Sequence, residues 1–151
     1  MLSKRELLVL LTAATPIFEV RGSIPLGLYL GLSPLKTFIL SLVGSILPIL
    51  PVLFGLNYLT VHLRKIPAMD RFFNWLFART RAKGELVQRL ETLGLFLFVA
   101  VPLPGTGAWT GCAAAYIFGL SYFNGFIACA LGTTAAAVLV MAASLGVIRL
   151  F

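Results

Sequence analysis

Pro16-Ile17-Phe18-Glu19-Val20-Arg21-Gly22-Ser23-Ile24-Pro25 is the stretch on which the reading of this chain turns. Two prolines bracket an acid, a base and a glycine, between the apolar runs Leu7 to Thr15 and Leu26 to Gly31. Proline has no amide to continue a helix and breaks the backbone ladder. In hydrocarbon the freed groups cannot stay bare, so such a break is tolerated only inside protein or beside a wet cavity. Glu19 and Arg21 sit within it, and an ionisable group at membrane depth is expensive unless paired or hydrated.

The surroundings place the break in a membrane. Of 151 residues, 60% are hydrophobic and 11% charged, and the mean hydropathy is +1.00. Soluble domains run nearer about 45–50% apolar and 25% charged. The composition excludes a water-soluble enzyme and a disordered chain, and predicts a multi-pass protein of the cytoplasmic (inner) membrane, one domain in size. Twelve basic and five acidic residues give a net charge of +7. Seven of the bases lie between Arg64 and Arg89, flanking apolar regions as cytoplasmic loops do. No nucleic-acid partner is expected. Cys112 and Cys129 lie inside an apolar region and suggest no disulfide framework, and a single histidine, His62, leaves no material for a metal site or a catalytic triad. Neither a metal nor a cofactor is expected, and no enzyme. Lys4-Arg5 followed by Leu7 to Ala14 has the outline of a signal peptide, but this stretch has a counterpart later in the chain and is read as part of the fold.

That counterpart comes from an internal repeat. Repeat one covers about residues 7–61, a basic connector about 62–92, and repeat two about 93–148. A shift of 88 residues lays Leu7 on Leu95, Pro16 on Pro104, Gly31-Leu32-Ser33 on Gly119-Leu120-Ser121, Phe38-Ile39 on Phe126-Ile127 and Gly44 on Gly132. Each repeat reads as a short apolar stretch, a Pro/Gly break, a second short stretch and a long one. The predicted fold is all-α: two inverted repeats, each a re-entrant helical hairpin plus a transmembrane helix. Two kinked full spans per repeat are the alternative, which makes the repeats parallel.

Candidate site residues follow from the breaks. Glu19 and Arg21, with Pro16, Gly22 and Pro25 shaping the turn, are expected to face one cavity; Arg21 suits an anionic group and Glu19 the uptake and release of a proton. A structural ion pair between half-helices is the plainer reading. The second break, Pro102-Leu103-Pro104-Gly105-Thr106-Gly107-Ala108-Trp109-Thr110-Gly111, offers amides at Gly105, Thr106 and Gly107 entering a helix, as an anion-binding nest would. Thr106 and Thr110 add hydroxyls, and Trp109 a ring face. In the connector, Arg71, Trp75, Arg79, Arg81 and Lys83 mix aromatic and basic character and are expected at the membrane surface. Small residues at Gly27-xxx-Gly31 and Ala115-xxx-Gly119 suit close helix packing and leave a homodimer open.

The two break motifs, in a chain of this size, resemble the small multidrug export protein family. More remotely they are similar to the DedA membrane proteins. The first resemblance implies drug export; the second implies an inverted repeat with facing hairpins that moves lipid-linked phosphates, coupled to protons. Glu19 matches the acidic residue of the first DedA-type hairpin. The arginine of the second has no match, because Pro104-Gly105 is followed by uncharged residues. The expected function is a transporter of a small amphipathic or anionic solute or a lipid-linked phosphate, coupled to protons through Glu19. An uncoupled lipid scramblase and a membrane assembly factor without transport are the alternatives. The expected partners are the bilayer, the substrate and protons.

Overall fold

The structure is a computed structural model, which describes residues 3–81 and 85–150; within these, the side chains of residues 76, 77, 79–81, 85–88, 149 and 150 are outside the description. The described residues form eight helices: α1 (Lys4–Ala14), α2 (Glu19–Tyr29), α3 (Pro34–Ile46), α4 (Ile49–Leu63), α5 (Pro67–Arg81), α6 (Glu85–Ala100), α7 (Ala108–Phe118) and α8 (Tyr122–Leu150).

Local chemistry sets the boundaries. Ser3 caps α1 in a reciprocal box: its hydroxyl accepts the Glu6 amide at 3.3 Å, and its own amide donates to Glu6 Oε2 at 2.9 Å. Thr15 ends α1, its hydroxyl donating back to the Thr12 carbonyl at 2.7 Å, and Pro16 follows. The ends of α2 and α7 are built alike. Gly31 and Gly119 take left-handed backbone, φ +77° and +69°, which glycine adopts without a Cβ penalty. The amides of Leu32 and Leu120 then reach back to the carbonyls of Gly27 and Ala115, at 3.1 and 3.0 Å. The start of the next helix repeats too, with Thr37 N–H on the Ser33 carbonyl and Gly125 N–H on that of Ser121.

Residues 34–63 form one apolar helical run of 30 residues, and α8 carries another, Tyr122–Ile148. At about 1.5 Å per residue each exceeds the roughly 30 Å hydrocarbon core. The long stretch expected as a single span is two helices, because Pro48 and Pro51 bend it at residues 47–48. The outer face of α3 is apolar, with Leu35, Ile39, Val43 and Leu47 about half exposed or more, whereas its inner face carries Thr37, Ser41, Gly44 and Ser45. Large hydrophobics outside and hydroxyls inside reverse the soluble pattern and fit a chain solvated by lipid.

The first helix of each hairpin packs on the following long helix, α1 on α3 and α6 on α8, where glycine permits the approach. A Cβ added to Gly44 lies 2.5 Å from the Leu10 carbonyl oxygen, and one added to Gly132 lies 2.9 Å from that of Phe96. Two apolar clusters complete the interior. Ile49 and Leu53 join Leu95, Val99, Cys112 and Cys129; Val20 and Ile24 of α2 meet Ala136 and Ala137 of α8. Arg5 donates to the Leu30 carbonyl at 3.2 Å and Lys36 pairs with Glu6, so the start of α1 and the α2–α3 turn share one end of the molecule. Tyr116 at the end of α7 hydrogen-bonds Thr60 near the end of α4, at the end where α5 begins.

Candidate functional site

The two breaks meet. The first is shorter than the sequence suggested, confined to residues 15–18, and α2 begins at Glu19 itself. Glu19 holds φ +46°, and among the described residues it alone takes positive φ without being glycine. A carboxylate side chain enters that region only when its surroundings over-determine it. Those surroundings are three hydrogen bonds. Glu19 Oε2 accepts from Arg21 Nη1 at 2.9 Å. Oε1 accepts the Trp109 amide at 3.3 Å, and the carboxylate also accepts the Ala108 amide. These are the first amides of α7, where the helix dipole favours negative charge. The nest expected at Gly105, Thr106 and Gly107 thus lies one residue further on, and the anion in it is the chain's own Glu19.

Gly107 makes the approach possible. Any Cβ there would fall inside the Glu19 carboxylate. At the 88-residue shift Glu19 falls on Gly107, so equivalent positions of the two halves are in contact.

Arg21 serves the opposite helix end. Its Nη2 reaches the carbonyl of Thr106, Thr106 Oγ1 at 3.1 Å, and the carbonyls of Val101 and Val99 at 3.2 and 3.4 Å. Carbonyls past the C-terminus of α6 carry the negative end of that dipole. The pair is therefore complementary to the second break, acid on the N-terminus of α7 and base on the C-terminus of α6. Glu19 is 3% exposed. Arg21 Nε and the indole Nε1 of Trp109 are buried without a hydrogen-bond partner.

The crevice between the breaks is lined by Pro16, Glu19, Arg21, Pro104, Gly105, Gly107 and Thr110, with Ile17, and encloses about 50 Å³. That is room for water but far below the ~300–1,000 Å³ of a drug-sized site. Thr110 Oγ1 accepts the Gly107 amide at 2.8 Å and shapes the turn. Pro102 lies in the break but not on this crevice. Gly22 and Pro25 are corrections: both lie within α2, Gly22 against Phe18, and Pro25 beside an apolar groove of about 540 Å³ shared with Tyr29, Ala143 and Val147. Trp109 contributes its amide to Glu19.

The connector is helical. Arg64 holds Asp70 at 2.9 Å and also Asn74, fixing the α4–α5 corner. Arg71 and Trp75 are exposed on α5, as is Phe72, whereas Phe73 is buried. The side chains of Arg79 and Arg81, and all of Lys83, lie outside the described residues. What sequence reasoning missed is a row of buried hydroxyls on α2 and α3, Ser23, Thr37, Ser41 and Ser45. Its signal was present as Thr37-xxx-Ser41-xxx-Ser45, one hydroxyl per helical turn in an apolar run.

A family model described as "Putative small multi-drug export protein" matches residues 19–139. That span opens on Glu19 and includes both breaks. No curated protein and no solved structure matches the chain.

Proposed function

The chain belongs to that small multi-drug export family, and from this premise we propose that it is a proton-coupled transporter of small amphipathic or anionic solutes whose two broken hairpins face each other across the membrane. The observation that carries the reading is the Glu19–Arg21 pair, which stands on one hairpin and is hydrogen-bonded to both helix ends of the other.

An inverted, re-entrant arrangement is supported by lengths and ends. Helices α1, α2 and α7 have 11 residues each, about 16 Å, or half of a bilayer core. Hairpin one starts and returns at the end marked by Arg5, Leu30 and Lys36, and hairpin two returns beside the end of α4. The groove lined by Tyr29 and Val147 sets the end of α2 beside the end of α8.

Ionised Glu19 holds the hairpin tips together by satisfying the α7 amides and Arg21 at once. Protonation at one oxygen removes the charge that both partners bind. The tips then separate, and Arg21 turns toward an anionic or polar group of the solute in the widened crevice. Loss of the proton on the other side restores the closed contact, and one repeat rocks against the other.

The test is gradient-driven accumulation of one amphipathic anionic dye and one amphipathic cationic dye in proteoliposomes. Glu19→Gln keeps the shape of the side chain and one acceptor oxygen, but it replaces the other oxygen by a donor and cannot cycle a proton. Accumulation is expected to fall at least about tenfold, a loss of ~1.4 kcal/mol of coupling, while the protein stays monodisperse in detergent. Undiminished accumulation by Glu19→Gln sinks the reading, and lipid movement insensitive to the gradient would make the protein a scramblase instead.

A further inference from the structure

We infer that the seam between α2 and α3, lined by Ser23, Thr37 and Ser41, is a narrow hydrated route by which protons reach Glu19 from the end of the molecule that carries Lys36. The inference rests on the proton role of Glu19 proposed above, and its test is chosen to stand apart from that role.

The register of the seam follows from one contact. Helices α2 and α3 run antiparallel from the Gly31 turn, and Gly27 lies against Thr37, where an added Cβ would sit 2.9 Å from Thr37 Oγ1. One turn inward on each helix brings Ser23 alongside Ser41, and one turn further brings Glu19 level with Ser45. Ser23, Thr37 and Ser41 are 0% exposed, Ser45 is 1% exposed, and Glu19 3%. Ser45 donates to the Ala13 carbonyl at 2.9 Å and closes the row against α1. At the outer end, Lys36 is half exposed and pairs with Glu6.

The three hydroxyls, like that of Thr133 in α8, depart from the usual state of a hydroxyl in an apolar helix. Thr60 and Thr134 donate to the carbonyl four residues back, at 2.9 and 2.8 Å, which is the usual resting place of a threonine in an apolar helix. Ser23, Thr37 and Ser41 have no hydrogen-bond partner in the protein. A buried polar group without a partner is costly, and its common remedy is water. Three in succession on facing helices, ending at a carboxylate, make a hydrophilic line through an otherwise apolar interior. A hydroxyl both donates and accepts, which a chain of proton transfers through water requires. The close approach of Gly27 and Thr37 keeps the line too narrow for an organic solute, so it serves the proton alone.

The titratable groups facing Glu19 from the elements packed on it are few. Arg21 lies beside it, and the Cys112 thiol lies a turn along α7; α6 presents carbonyls and α3 presents Ser45. Among the described residues of the second half one buried hydroxyl lacks a partner, Thr133 at the position equivalent to Ser45, and no second one stands beside it to make a line. At the 88-residue shift Gly27 and Thr37 become Ala115 and Gly125, and Ser23 and Ser41 become Gly111 and Cys129. An added Gly111 Cβ would lie 3.0 Å from Cys129 Sγ, so that seam is closed by small apolar packing. Access is one-sided.

Silver ion is the probe, because it is small, enters narrow aqueous paths and caps thiolates. Ser41→Cys and Ser23→Cys are made separately in a Cys112→Ala, Cys129→Ala background, where each replaces a hydroxyl by a thiol of similar shape. The control is the native Cys129 in a Cys112→Ala chain, which occupies the position equivalent to Ser41. Silver is added to one face of the proteoliposome at a time, then quenched, and thiols still free are counted by maleimide after denaturation. At both introduced thiols, capping at least about tenfold faster than at Cys129, and from one face only, is expected. Capping no faster than at Cys129 at both positions overturns the route whatever Glu19→Gln does. Rapid capping together with undiminished coupling in Glu19→Gln overturns the proton role of the seam.

Discussion

The two halves of this molecule share the backbone bonds at the turns that follow α2 and α7 and differ in what fills their seams. The left-handed glycines, the amides that fold back on Gly27 and Ala115, and the glycines that admit α1 onto α3 and α6 onto α8 all recur 88 residues apart. Across the α2–α3 seam, however, Gly27 faces Thr37, and across the α7–α8 seam Ala115 faces Gly125. The bulk has moved from one helix to the other. At the tips the same exchange carries charge, for Glu19 in one half meets Gly107 in the other. Helix ends and close approaches are therefore what the two halves have in common. The buried ion pair and the row of hydroxyls belong to the first half, whereas the second answers with helix-end amides, carbonyls and the lone buried hydroxyl of Thr133.

Gly107→Ala strikes the tip contact and carries the largest expected effect. Its methyl occupies the place of the Glu19 carboxylate, so the acid must leave the α7 amides and Arg21 loses its partner. Overpacking of this kind costs about 1–3 kcal/mol, and a charge pushed from its partners adds to it. A lower thermal midpoint in detergent, with gradient-driven accumulation lost, is expected. Glu19→Ala in the same chain removes the collision and should recover part of the midpoint but none of the transport. A Gly107→Ala protein as stable and active as the native one would break the pairing of the two tips.

How far the site was legible in the sequence depends on the reach of each residue. Pro16 and Pro104 mark the breaks because proline acts on its own backbone. Pro25 misleads for the same reason: it suggests a break, yet it sits inside α2, which gives up one backbone bond there and runs on to Tyr29. The partners of Arg21 were not legible, since a long side chain finds Val99, Val101 and Thr106 only after two hairpins are docked. A pair two residues apart, read as facing a cavity, proves to be clamped onto the other half. The hydroxyl row was legible as spacing, but its meaning depends on the antiparallel register of α2 and α3, which only the fold supplies.

Exchanging the seam contents is the next test. Gly27→Ala alone drives a methyl to 2.5 Å from Thr37 Cγ2, and threonine is stiff about χ1, so a loss of about 1–3 kcal/mol is expected. Thr37→Gly alone costs roughly 0.3 kcal/mol in helix propensity. Together they install the Ala115/Gly125 arrangement, and the double variant should be at least ~1 kcal/mol more stable than the sum of the singles. Thermal unfolding of the four proteins measures that coupling, and simple additivity would deny that the two seams are alternatives of one design. The double variant also lacks the Thr37 hydroxyl, so proton-driven accumulation should slow although the fold is restored.

The smallest expected effect separates the two ends of the molecule. At the end with the N-terminal helix, Lys36 pairs with Glu6, whose side chain is 9% exposed; at the connector end, Arg64 pairs with Asp70, with side chains 38% and 42% exposed. Exposed pairs are worth little, so the first end is the one whose ion pair is tested. The Lys36 ammonium, followed by the Ser3 amide, holds the Glu6 carboxyl below its ordinary value of 4.5. A carboxyl lowered on folding stabilises the fold above its unfolded value, and that contribution is lost as pH falls through the folded one. The native midpoint should therefore drop, between neutrality and pH values below 4.5, by more than that of Glu6→Gln. The glutamine keeps one oxygen for the Ser3 amide and gives up both the charge and the oxygen that Lys36 binds, so the difference between the two curves isolates the ion pair from Glu19, which both proteins retain. Parallel curves would mean that Lys36 does not hold Glu6 and that both ends are alike open to solvent.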